Sequence, residues 1–156
     1  MSAWWTAAWV QSSCFGLSVV SALVPWVNAE AILLAFAASA RSRHGLVALV
    51  LVTTAGQMLG KWILYCVSRG ASRRQMRGHD ARVDRWRRRL ERSPRRALAL
   101  VFVSSAVGVP PFYVVTMVAG ICRIGVAGFL GAGTAGRLVR FGALVAVPRL
   151  ALSALG

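Results

Sequence analysis

Pro110 and Pro111 stand side by side inside ALALVFVSSAVGVPPFYVVTMVAGIC, an apolar run of 26 residues from Ala97 to Cys122. Without them the run would cross a bilayer as one helix, because about 20 residues at 1.5 Å rise span the roughly 30 Å hydrocarbon core. The two prolines remove two backbone donors and push the residues before them out of the helical region. Each limb then keeps about 10 to 12 residues, half a bilayer in length. The run is therefore predicted to enter the membrane and return as a re-entrant hairpin. The N-terminal segment follows the same pattern: an apolar limb ending near Val24, a break at PWVN with Pro25 and Asn28 at the tip, and a second limb AEAILLAFAASA. Irregular backbone at membrane depth survives only where protein or a water-filled cavity covers it, so two such tips imply an enclosed polar interior.

Two further segments are long enough to cross. GLVALVLVTTAGQMLGKWILYC, from Gly45 to Cys66, carries one charge, Lys61, and the Gly125–Val147 segment carries two, Arg137 and Arg140. An apolar share of 57% and a mean hydropathy of +0.62 exceed the roughly 45 to 50% apolar content of soluble chains. The first basic residue is Arg41, so the N-terminus lacks the positive start of a signal peptide and is expected to remain part of the fold. The fold class that follows is an all-α integral membrane protein. Its single domain, 1–156, has halves of about 12–68 and 97–148, each a re-entrant hairpin followed by a transmembrane helix. Internal similarity supports a repeat: SALVP (Ser21–Pro25) against SAVGVP (Ser105–Pro110), TAGQML (Thr54–Leu59) against TAGRLV (Thr134–Val139), and Gly45 against Gly125.

The net charge of +15 is concentrated: 12 of the 18 arginines lie between Arg69 and Arg96. The positive-inside rule puts this 69–96 loop in the cytoplasm and makes the two halves inverted, with Trp4, Trp5 and Trp9 at the outer interface. Within the loop, Val83, Trp86 and Leu90 fall on one helical face, which suits a helix lying on an anionic membrane surface. A nucleic-acid role lacks a recognition motif or a soluble domain to present it. Cys14, Cys66 and Cys122 are single and scattered, as expected of buried small hydrophobes; no metal spacing is present.

Glu30 is the only acidic residue outside the loop. It begins the second limb of the first hairpin, where a charge costs about 2.5 to 3.5 kcal/mol on insertion scales, so it is expected to face the interior and find partners. Arg137 and Arg140, three residues apart on one helical face, are the candidates. A plain ion pair would fix packing and nothing more. Two guanidiniums for one carboxylate, with half-depth helices aiming positive ends at the same region, instead leave a surplus of positive potential that a phosphate would complete. Lys61 is expected to snorkel to the cytoplasmic surface. Gly56 and Gly60, and the small face Gly125, Gly128, Gly131, Gly133 and Gly136, are expected to serve close helix packing. His44 and His79 suggest no catalysis.

These segments in this order resemble the DedA family, the bacterial branch of the VTT-domain (SNARE-associated Golgi protein) membrane proteins. The residues that carry the likeness are the hairpin with a glutamate after a proline break, GQMLGKWILYCVSRG, GVPPFYVVTMVAGICRIGVAGFL and GRLVRFGALVAV, and it covers roughly Ser18 to Pro148. It implies facing re-entrant hairpins in an inverted repeat, in bacterial inner-membrane proteins linked to translocation of undecaprenyl phosphate and other lipids. The family's glutamate maps onto Glu30 and its basic motif onto Arg137 and Arg140. Many members carry an aspartate where this chain has Lys61, which the shorter YqaA-like branch also tends to lack, and many continue into a further C-terminal helix. The function expected is a lipid or lipid-phosphate transporter without cofactor or metal, in which Arg137 and Arg140 hold the phosphate while Glu30 competes for them or takes a proton; the alternative is a non-transporting scaffold whose arginine-rich loop recruits a partner or anionic lipid. No Ser-His or metal constellation supports an enzyme.

Overall fold

The computed structural model describes the backbone of residues 3–24, 29–39, 42–75 and 93–155. Pro25 and Asn28, and the surface helix expected around Trp86, lie outside the described residues. Among the described residues there are six helices and no strand: α1 (Ala3–Leu23), α2 (Ala29–Ser39), α3 (Arg43–Gln75), α4 (Pro94–Val107), α5 (Phe112–Ile121) and α6 (Val126–Leu155). The described residues are all-α, in line with the fold class expected from the apolar pattern.

The proline break falls where the sequence puts it. α4 stops at Val107; Gly108 takes the left-handed conformation, φ 88°, and its N–H bonds back to Ser104 O. The hydroxyl of Ser104 donates to Pro110 O at 2.6 Å, and Pro111 caps the start of α5. The limbs are short, 14 and 10 residues.

The two long helices outrun their expected spans. α3 is helical from Arg43 to Gln75, 33 residues, past the Cys66 at which the sequence pattern ends. SRGASRRQ holds no proline, its one glycine costs a helix only about 1 kcal/mol, and cations near a helix C-terminus are favoured by its dipole. α6 continues through Pro148 to Leu155, with one backbone donor fewer for that proline. Apolar stretches of membrane-spanning length lie at Arg43–Ala71 and Val126–Val147.

The residues cluster into two compact units, and each takes part of both long helices. One comprises Met1–Gly60 with Arg137–Gly156, the other Lys61–Gly136. In the first, Cys14, Ala29, Leu33, Leu49 and Phe141 form the core. Gly56 and Gly60 let α3 close on α1: a Cβ at Gly56 would lie 2.8 Å from Phe15 O and 2.9 Å from Ser18 Cβ, and one at Gly60 would lie 2.5 Å from Ala22 Cβ. Burying a polar group in such a contact is costly unless it is bonded. Accordingly the buried Gln57 donates from Nε2 to Ser18 O at 2.9 Å and to Ser21 Oγ, and Cys14 Sγ meets Thr53 Oγ1 at 3.2 Å.

The second unit packs around aromatic rings. Tyr65 and Phe129 stack at 5.1 Å between centroids, and Phe112 and Phe129 at 6.1 Å. Gly136 seats α6 on α4, where a Cβ would lie 2.6 Å from Phe102 O and 2.8 Å from Ser105 Cβ. Ser105 Oγ donates to Gly133 O at 2.6 Å in the same contact. The small face expected on α6 is used only in part: Gly128 packs on Leu98, whereas Gly125 and Gly131 have nothing within contact of an added Cβ. Large apolar side chains remain exposed on every helix, among them Trp9, Leu34, Val47, Val67, Phe102, Val114 and Val139. That distribution far exceeds the scattered patches of water-soluble surfaces and suits contact with lipid chains.

Candidate functional site

Glu30 is the second residue of α2, within its first turn. The helix dipole favours a carboxylate there by about 0.3 to 1 kcal/mol, but the decisive partner is distant in sequence. Arg140 donates from Nε to Glu30 Oε1 at 2.6 Å, and its Nη2 closes on the same oxygen. The two side chains are 24% and 28% exposed. The pair is thus reachable from outside the protein while seated at an apolar core, since Ala29 and Phe141, the chain neighbours of Glu30 and Arg140, are both core residues.

Arg137 lies one helical turn before Arg140. Its guanidinium sits over the fully buried ring of Phe141, 5.5 Å from Cζ to the ring centroid. Cation–π contacts of this kind are worth about 0.5 to 2 kcal/mol and leave the in-plane N–H fork pointing away from the ring. Arg137 also interacts electrostatically with Glu30, attractively, and with Arg140, repulsively. The structure therefore brings all three charged residues into one electrostatic cluster: Arg140 engages the carboxylate, and Arg137 rests on an aromatic face. Phe141 was not legible as a site residue, although its i, i+4 spacing from Arg137 carried the signal. Gln57, buried with Ser18 and Ser21, was also missed; a lone amide in the middle of an apolar span was its signature.

Lys61 does not snorkel. It is 4% exposed, and its Nζ lies over the Tyr113 ring, 5.1 Å from the centroid. The expectation placed it near a helix end, but α3 continues to Gln75, so the lysine sits in mid-helix, and its side chain is held within the protein against Tyr113. Replacement by an apolar side chain of similar length is tolerated at such sites better than reversal of charge. Lys61→Met is expected to melt within a few degrees of the parent in detergent, and Lys61→Glu well below it. A snorkelling lysine would show no such contrast.

No curated protein and no solved structure matches this chain significantly. A family model described as the VTT domain matches residues 24–149. The match takes in both proline breaks, most of both long helices, and Glu30, Arg137 and Arg140. The chain belongs to the VTT-domain family, that of the DedA and SNARE-associated Golgi membrane proteins.

Proposed function

We propose that this protein is a membrane lipid transporter that moves a phosphate-bearing lipid, a polyprenyl phosphate or a phospholipid, across the bacterial inner membrane. The observation that carries the reading is the Glu30–Arg140 pair, part-exposed and flanked by Arg137. Here a second guanidinium stands one turn away, and a phosphate offers enough acceptor oxygens for both. Arg137 and Arg140 bind the phosphate, and Glu30 serves as the resident anion that the phosphate displaces and that reclaims Arg140 on release. No atom of the cycle requires a cofactor, and the reaction makes and breaks no covalent bond.

The inverted-repeat reading belongs to the same proposal. Gly56 is seated against Phe15 O and Ser18 Cβ, and Gly136 against Phe102 O and Ser105 Cβ. The glycines are 80 residues apart, and both the phenylalanines and the serines 87. A duplicated hairpin-plus-helix with one loop-length difference accounts for this. It supports a register in which Ser18, rather than Ser21, corresponds to Ser105. Two re-entrant halves of opposite orientation, with the 69–96 loop cytoplasmic, would let one site face each side in turn.

The test is reconstitution. Liposomes containing the protein should translocate a fluorescent polyprenyl phosphate or phospholipid faster than protein-free liposomes, and should not translocate the uncharged polyprenol. Equal rates for the phosphate and the alcohol would remove the role assigned to the arginines.

A further inference from the structure

The chain turns from α5 into α6 in a conformation that glycine would adopt more easily than the residue present. Cys122 N–H bonds to Val118 O at 2.8 Å, Arg123 N–H to Gly120 O at 3.1 Å, and Ile124 N–H to Ala119 O at 3.0 Å. This closes a helix in the manner of a Schellman cap, whose left-handed position is usually glycine. Arg123 occupies that position at φ 54° and is the only non-glycine residue at positive φ among the described residues. A left-handed conformation is disfavoured for any residue bearing a Cβ. Strain of this kind, kept at one residue, points to a use for its side chain.

The surroundings indicate what that use is. Gly120 presses the turn against α3 so closely that a Cβ would lie 2.5 Å from Tyr65 O and 3.3 Å from Arg69 N. Tyr65, fully buried, donates its hydroxyl proton to Ile124 O at 2.5 Å. The Tyr65 hydroxyl oxygen in turn accepts from Arg69 Nη1 at 3.0 Å. One phenol thus fixes the Arg69 guanidinium beside the backbone that follows Arg123. Both arginines are half-buried, and the buried Nε of Arg123 makes no hydrogen bond. The one acidic side chain among the described residues, Glu30, is engaged with Arg140. α6 begins at Val126, so its positive N-terminal end lies three residues beyond Arg123.

We propose that Arg69, tied through the Tyr65 hydroxyl to the Ile124 carbonyl, and Arg123, the residue before that carbonyl's, form a second phosphate-binding site that takes the headgroup phosphate of an anionic lipid at the membrane surface from which the 69–96 segment emerges. Guanidiniums near the ends of membrane helices suit a lipid phosphate. Tyr65 is a positioning residue, since its hydroxyl is occupied by Ile124 and Arg69. The site is separate from the Glu30–Arg140 cluster and does not depend on transport.

The informative variant is Arg123→Gly, which removes the guanidinium and restores the residue that the cap favours. Full-length protein in nanodiscs is melted with phosphatidylcholine alone and with phosphatidylglycerol added, and lipid retention is measured by native mass spectrometry. The parent is expected to melt higher as phosphatidylglycerol increases and to retain it preferentially. Arg123→Gly is expected to melt at or above the parent in phosphatidylcholine, yet to lose most of the phosphatidylglycerol-dependent shift and bind that lipid about tenfold or more weakly, as befits loss of a charge-assisted bond. Arg69→Gln should lose the shift as well and serves as the test if Arg123→Gly does not fold; Arg123→Lys should keep part of it. An undiminished shift in both Arg123→Gly and Arg69→Gln would overturn the site. Inorganic phosphate in detergent is the second arm: a smaller shift than the lipid gives is expected, and a full shift with no further effect of lipid would overturn the assignment to a headgroup.

Discussion

Arg140→Ala is expected to reduce lipid-phosphate translocation by roughly 10- to 100-fold, the loss that follows from removing a guanidinium that makes charge-assisted bonds worth about 1.5 to 3 kcal/mol. It is also expected to destabilise the protein, because the Glu30 carboxyl loses the donor at 2.6 Å. Breaking a fully buried pair costs about 3 to 5 kcal/mol. With side chains 24% and 28% exposed, solvent screens part of that, and a cost of about 1 to 2 kcal/mol is expected. Stability and transport then separate in the other variants. Glu30→Gln should leave Arg140 available to substrate, so lipid phosphate binds more tightly while turnover falls, for lack of the anion that drives release. Glu30→Gln combined with Arg140→Ala should recover stability relative to Arg140→Ala, since no orphan carboxylate remains, yet transport no better. Arg137→Ala should weaken substrate binding and give up the contact with the Phe141 ring. Flipping rates and melting temperatures of the five proteins, parent included, decide the matter. Indistinguishable flipping in the parent, Arg140→Ala and Glu30→Gln would end the assignment of roles, and recovery of transport in the double variant would reduce the pair to a packing device.

How far the sequence reached depended on whether a feature was local. The α4–α5 break was legible because Pro110 and Pro111 act on their own backbone, and the ends of α4 at Val107 and of α5 at Phe112 follow from that alone. The Glu30–Arg140 contact, 110 residues apart in sequence, was legible for a different reason: in a largely apolar medium the charges are few, so the pairing problem has few solutions. The ends of the long helices were not legible, because hydropathy marks where apolar character stops, and α3 continues as helix into polar sequence up to Gln75. Lys61 was misplaced through the same mistake. Phe141, Gln57 and the Tyr65 hydroxyl were unreadable because their roles depend on which side chain meets them across a helix contact, and no spacing within one segment encodes it. TAGQML and TAGRLV suggested a duplication, and the register proposed for it within the first limb needed the contacts of Gly56 and Gly136 with Ser18 and Ser105.

Those glycines set the largest expected effect on folding. At Gly56 an added Cβ would fall 2.8 Å from the Phe15 carbonyl oxygen, and at Gly136 it would fall 2.6 Å from that of Phe102. In both places the obstacle is helix backbone, which cannot rotate away as a side-chain tip would. Even alanine must therefore push two helices apart, and overpacking of this kind costs about 1 to 3 kcal/mol. The displacement would also stretch the bonds made across the same contacts, from Gln57 to Ser18 O in the first unit and from Ser105 Oγ to Gly133 O in the second. Gly56→Ala and Gly136→Ala are each expected to lower the melting temperature in detergent substantially, and Gly56→Leu and Gly136→Leu to abolish folded expression. Gly131 is the control: it lies on the same helix as Gly136 but meets nothing within contact of an added Cβ, so Gly131→Ala should be neutral or slightly stabilising, as alanine is a better helix former by about 1 kcal/mol. A general penalty for enlarging any glycine in an apolar helix would make the three alanine variants equal. Close backbone approach at two equivalent seats makes Gly56 and Gly136 fall together and leaves Gly131 apart, and equal melting of all three would refute it.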